Sequence, residues 1–118
     1  MIKSMKKKWV AALRSGKFKQ TTGVLCQVDN RGRAKGHCCL GVLCQVAKTE
    51  GFKIKIERDK FSDVRNYSYD GEVSQSELPA ELARELKLRP ASLKKLMTMN
   101  DNDGKDFNQI ADHIEKKL

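Results

Sequence analysis

The chain has 118 residues, with 24 Lys and Arg against 15 Asp and Glu and a formal net charge of +9. Apolar residues make up 39% and charged residues 33%, which excludes a disordered chain and leaves room for a single domain, residues 1–118, with one modest core. No apolar run approaches the ~20 residues that span a bilayer, and the basic N-terminus is not followed by the apolar stretch of a secretory signal, so the chain reads as cytosolic.

Residues 3–15 read as a helix, because Ile2, Met5, Trp9, Ala12 and Leu13 recur at helical spacing while Lys6, Lys7, Lys8 and Arg14 fall mostly off that stripe. Gly16 suits the C-terminal cap, and Trp9 the core anchor. Residues 17–38 read as a basic loop followed by a hairpin. Gly23 to Val28 is rich in strand formers, and Asp29-Asn30-Arg31-Gly32 is a turn signal. Residues 39–50 form the next helix, apolar around nearly its whole circumference and therefore buried. Gly51 ends it. The hexamer Gly-Val-Leu-Cys-Gln-Val occurs at 23–28 and again at 41–46, the first copy expected as strand and the second as helix. One recurrence of six residues does not make a repeat protein.

Phe52, Ile54 and Ile56 alternate with Lys53, Lys55 and Glu57, the pattern of a strand buried on one face. Phe61 to Val73 reads as a short hairpin or ordered loop with its turn at Asp70-Gly71. The remainder is helical. Leu78, Leu82 and Leu86 share a face behind Pro79, Pro90 opens a helix with Leu93, Leu96 and Met97 inward, and Asp106 caps a last helix whose stripe is Phe107, Ile110, Ala111, Ile114 and Leu118. Gln109 is placed to close a capping box on Asp106. The fold class expected is α+β: a small, mainly antiparallel sheet packed by the N-terminal helix and the buried Cys-containing helix, with a helical C-terminal section.

The charge is unevenly spread. Residues 1–60 hold 15 Lys and Arg against 4 Asp and Glu, a balance of +11, whereas residues 61–118 hold 9 against 11, a balance of −2. A basic half beside a slightly acidic helical end (78–118) points to an anionic partner for the first half, or to a merely solvated surface. Arg31, Arg33 and Lys35 cluster at or just past the predicted turn, Lys17 and Lys19 lie just before the first strand, and these five are the candidate anion-binding residues.

Three of the four cysteines and one of the two histidines fall within Gly36–Cys44. Cys26, His37, Cys38 and Cys44 have the right donors for zinc but not the usual knuckle spacing, so buried structural thiols are the plainer reading. Cys38 or Cys39 at a helix N-terminus would have a depressed pKa, with His37, or His113 beside Asp112, as the base of a thiol enzyme. Asp101 to Asp106 suggests a calcium loop, but with Gly104 at the sixth position the first and twelfth are Met99 and Ile110, which removes both obligatory ligands. Leu93 through Ile114 hints at helix-turn-helix, though Asp106, Asp112 and Glu115 make the last helix a poor reader of a phosphate-lined groove. No phosphate-binding loop or dinucleotide fingerprint is present.

Trp9 to Gln20, Cys38-Cys39-Leu40-Gly41-Val42-Leu43-Cys44, Leu78-Pro79, and Met97 to Asp101 with Phe107 to Ile114 together resemble a group of small uncharacterised proteins encoded by tailed bacteriophages. Met97 and Met99 stand where leucines are expected. The resemblance brings no activity or cofactor; it implies a host bacterial cytoplasm and an accessory rather than a virion role. The leading expectation is a non-enzymatic accessory protein, including counter-defence, that binds a nucleotide signal or nucleic acid through its basic half. The rival is a protein–protein inhibitor of a host enzyme with an exposed apolar patch around Tyr67 and Tyr69. The third is a zinc or thiol-dependent protein.

Overall fold

The structure, a computed structural model, describes residues 1–118. Its helices are α1 (Lys3–Arg14), α2 (Cys39–Thr49), α3 (Ala80–Glu85), α4 (Pro90–Asp101) and α5 (Phe107–Lys117). Its strands are β1 (Cys26–Val28), β2 (Ala34–His37), β3 (Lys55–Arg58), β4 (Arg65–Tyr69) and β5 (Glu72–Ser74). The α+β class follows directly, with the last third of the chain helical. No helix is long and apolar enough to cross a membrane.

The apolar stripe of α1 buries Met5, Trp9, Val10 and Leu13. Its main partners are α5 and α2, so the helix lies between two other helices instead of covering a sheet. Trp9 is fully buried, and its indole Nε1–H donates to the Cys39 carbonyl at 2.9 Å, which removes the cost of sinking that polar handle. Across the same interface Arg14 donates to Asp112 at 2.6 Å and to Glu115 at 3.1 Å, both exposed.

α2 is the centre of the fold. Cys39, Leu40, Gly41, Val42, Leu43, Cys44 and Ala47 are all buried. Gly41 is there because the chain leaves no room for anything larger: a Cβ at that position would lie 1.8 Å from the Leu25 carbonyl oxygen. Gly51, at φ +99°, ends the helix in a conformation that glycine adopts without strain.

The strands form two small antiparallel sheets, where the sequence reading has one. β1 pairs with β2, and β3–β4–β5 is a separate meander. The register of β1 on β2 shifts between Gln27 and Val28, and only one bridge, Gln27 to Val64, carries β1 onto the second sheet. In the meander Asp70 (φ +51°) and Gly71 (φ +84°) make a two-residue turn of the type that matches strand twist. The third strand starts later than the alternation predicts, at Lys55, with Ile54 buried just before it.

The capping box at α5 is present on both sides: Gln109 N–H donates to Asp106 Oδ1 at 2.8 Å and the Asp106 N–H to Gln109 Oε1 at 3.0 Å. Phe107, Ile110, Ala111 and Ile114 are buried. With its apolar face committed to the core and Asp106, Asp112 and Glu115 exposed, α5 does not present a recognition helix.

Candidate functional site

The turn between β1 and β2 is organised by one carboxylate. Asp29 Oδ1 accepts from the backbone N–H of Arg31 at 2.9 Å and of Arg33 at 3.0 Å, while Oδ2 accepts from Arg33 Nε at 3.3 Å. The Arg33 amide first, and then that of Arg31, hold the Asp29 carboxyl below its ordinary pKa. Gly32 supplies the left-handed residue of the turn, at φ +78°. The arrangement leaves Arg31 and Arg33 exposed at a fixed tip.

A second tip lies against the first. The Val28 N–H donates to the Asp63 carbonyl at 2.9 Å, which stitches β1 to the loop between β3 and β4. Arg58 donates to the Asn30 carbonyl at 3.4 Å and Arg65 to the Gly32 carbonyl at 3.5 Å. Arg58 and Arg65 are directly opposite each other in the β3–β4 ladder. Like charges so placed repel; here the hairpin carbonyls and Asp63, 3.6 Å from Arg58, offset part of that repulsion. Sequence reasoning missed both arginines, because the pairing that brings them to the hairpin is set by a β3–β4 register that no spacing in the chain announces.

The remaining sequence-predicted cations follow β2. Lys35 lies on the strand itself. The His37 N–H donates to the Lys19 carbonyl at 2.8 Å and the Thr21 N–H to the His37 carbonyl at 2.9 Å, so residues 19–21 run along the free edge of β2. Lys17, Lys19 and Lys35 are exposed. The five candidates are thus spread along a hairpin and its edge. None of them lines any of the five main clefts.

The cysteines do the opposite of what a reactive or metal-binding set needs. All four are buried and unpaired, and no three His, Cys, Asp or Glu side chains are placed to share an ion, so Cys26, His37, Cys38 and Cys44 are not gathered into a site. Cys38 is the N-cap of α2, its sulfur accepting the Gly41 N–H at 3.4 Å. The helix terminus does not depress its pKa as expected: burial dominates and pushes the thiol up to about 11. Burial raises Cys39, Cys44 and Cys26 as well. His37 Nε2 is buried with no hydrogen-bond partner, and its ring meets Phe18 edge-on at 5.2 Å. Burial, then the charge of Arg65, lowers His37 to about 4. Burial lowers His113 too, and its charged neighbours are Lys95 and Lys117. Neither imidazole hydrogen-bonds to a thiol, so the nucleophile–base pair of a thiol enzyme is not assembled.

The apolar patch expected around Tyr67 and Tyr69 is not on the surface either. Tyr67 is fully buried, and Tyr69 is half-buried against Phe52 with its hydroxyl donating to Glu85 at 3.0 Å. The exposed large apolar side chains are Phe61 and Val73.

A family model described as a domain of unknown function, DUF8296, matches residues 1–118. The chain belongs to this family. No curated protein and no solved structure matches it.

In this DUF8296 chain, three segments distant in sequence meet at Gln20, Cys39 and Asn100. Asn100, almost fully buried, accepts through Oδ1 from Gln20 Nε2 at 2.9 Å and from the Cys39 N–H at 3.2 Å. Its Nδ2 donates to the Thr21 carbonyl at 2.9 Å and to Asp101 Oδ1 at 2.8 Å. Gln20 Nε2 also donates to the Lys105 carbonyl, at 2.8 Å. One amide therefore ties the end of α4 to the start of α2 and to the strand edge, and satisfies an otherwise orphaned helix-terminal N–H. A cleft of about 550 Å³ beside it is lined by Leu40, Leu78, Leu93, Met97 and Asp101, among others. It gathers no nucleophile with a base and no cluster of cations. The hydrogen bonds of Gln20, Cys39 and Asn100 join these segments to one another.

Proposed function

We propose that this protein is a non-enzymatic nucleic-acid-binding protein that takes the phosphate backbone across the apposed β1–β2 and β3–β4 tips. The observation that carries the reading is the placing of Arg58 against Arg65, both leaning on the carbonyls of the turn that bears Arg31 and Arg33. Four guanidiniums held at one end of two hairpins offer forked donors to phosphate oxygens. Lys35, Lys19 and Lys17 extend the positive surface along the β2 edge.

The shape favours an extended polyanion over a free nucleotide signal. A small ligand needs a concave site that buries most of it, whereas a nucleic acid is held by a positive surface that tracks its backbone. The five sequence-predicted cations line none of the main clefts, and of the four arginines only Arg58 lines one. The resemblance to phage proteins supports an accessory role in the host cytoplasm, with counter-defence acting on nucleic acid as its setting.

Titration of a fluorescein-labelled oligonucleotide by fluorescence anisotropy tests this directly. The wild-type protein binds, Arg31→Glu/Arg33→Glu binds at least tenfold more weakly, and a mononucleotide at equal phosphate concentration does not compete. Unchanged affinity in the double variant refutes the assignment. So does tight binding of the mononucleotide.

A further inference from the structure

The basic end of the molecule carries one residue that charge does not explain. Phe61 is 95% exposed, the most exposed large apolar side chain in the protein. It stands in the β3–β4 loop next to Lys60, between Arg58 and Arg65 in sequence. That loop is the one stitched to the β1–β2 turn through Val28 and Asp63.

Hydrogen bonds fix the backbone from which this ring projects. Asp59 lies beneath it as an internal acceptor. Its Oδ2 takes the Phe61 N–H at 3.1 Å and the Ser62 hydroxyl at 2.8 Å, and its Oδ1 takes Asn66 Nδ2 at 3.1 Å. Asn66 is braced in turn by Gln75 Nε2 at 2.7 Å, from the segment after β5. The Asp59 N–H donates to the Val64 carbonyl at 2.9 Å and closes the loop at its base. Asp29 is engaged with Arg33, Asp63 with Arg58 and Glu57 with Lys55, and Asp59 is turned into its own loop. Arg31 and Lys60 have no carboxylate partner. A cleft of about 540 Å³ lies alongside the ring, lined by Arg58, Asp59, Lys60, Phe61, Ser62 and Asp63.

A single exposed ring is ordinary on a protein surface; what distinguishes Phe61 is its setting, beside Lys60 and Arg58 along the same cleft and on the loop stitched to the turn that bears Arg31 and Arg33. Single-stranded nucleic acid has both parts of the complement: a phosphate chain for the guanidiniums and unpaired base faces for the ring. A duplex hides its base faces within the stack. We infer that Phe61 is a base-stacking platform and that the ligand of this surface is single-stranded nucleic acid. The inference rests on the proposed polyanion binding and adds the strandedness of the ligand.

The test compares wild type, Phe61→Ala, Phe61→Trp and Arg31→Glu/Arg33→Glu on labelled single-stranded DNA, single-stranded RNA and duplex DNA of matched length and salt. Phe61→Ala is expected to weaken single-strand binding about tenfold and to leave duplex binding and the salt slope unchanged. Phe61→Trp restores single-strand affinity and quenches its own fluorescence on binding. The DNA and RNA arms show which backbone is preferred, and a ring-dependent loss on either supports stacking. Full affinity in Phe61→Ala, or an equal loss on single strand and duplex, overturns the stacking role while the double-arginine variant still reports on polyanion binding. Absence of wild-type binding to all three ligands overturns both readings. Because Phe61 makes no core contact, thermal unfolding of Phe61→Ala should match wild type, which separates lost binding from lost folding.

Discussion

Lowering the pH should destabilise this protein through His37, and the size of the effect follows from its surroundings. The side chain is 5% exposed, its Nε2 has no partner, and burial with the nearby Arg65 charge lowers its pKa from 6.5 to about 4. The folded state therefore holds the imidazole neutral until about pH 4, whereas the unfolded chain takes up a proton near pH 6.5. Between those values the unfolded state binds more protons, so stability is fully present above pH 6.5 and falls as the pH drops through that window. At about 1.4 kcal/mol per pH unit, the loss attributable to His37 between about pH 7 and pH 4 is about 3 kcal/mol. Aspartates and glutamates lose stability in the acid range too, so the quantity to measure is a difference. Urea unfolding of wild type and His37→Phe across this range should show the wild-type curve falling more steeply by about that amount. His37→Phe keeps a ring against Phe18 and removes the orphaned nitrogen, so its stability at neutral pH should equal or exceed wild type. Parallel pH curves for the two proteins would refute the reasoning.

Three further outcomes are expected. Gly41→Ala forces a methyl against the Leu25 carbonyl and should destabilise the protein by about 3 kcal/mol or more in urea, despite the better helix propensity of alanine. Asn100→Ala strands the buried Cys39 N–H and should cost about 1–3 kcal/mol for that group alone, with amide exchange at the first turn of α2 accelerating. Native alkylation near neutral pH should be slow at all four cysteines and become fast only in denaturant, since burial raises every thiol; one rapidly modified cysteine in the folded protein would contradict the packing role.

Local chemistry was readable in the chain where one residue type decides the outcome. Asp70-Gly71 becomes the expected two-residue turn, Asp106 with Gln109 the expected capping box, and the all-apolar circumference of 39–50 the buried central helix. The hexamer at 23–28 and 41–46 shows where such reading stops. Its second copy lies wholly within α2, but only Cys26-Gln27-Val28 of the first is strand, because Leu25 is held instead by its N–H to the Gln75 carbonyl and its carbonyl to Cys38. Long-range pairing was not readable. That α1 would pack on α5, that the strands would divide into two sheets, and that Arg58 would face Arg65 beside the first hairpin all depend on contacts distant in sequence. The candidate surface was therefore half visible. Arg31 and Arg33 announce themselves at a turn signal, while Arg58, Arg65 and the exposure of Phe61 emerge only when two hairpins are set side by side.

The most direct test of the account is the salt dependence of oligonucleotide affinity. Engagement of about four phosphates of a single strand by Arg31, Arg33, Arg58 and Arg65 predicts that log K falls against log salt with a slope of about −3, and that Arg31→Glu/Arg33→Glu flattens it by about half. A slope near zero for the wild-type protein, or one that the double variant leaves untouched, would contradict it.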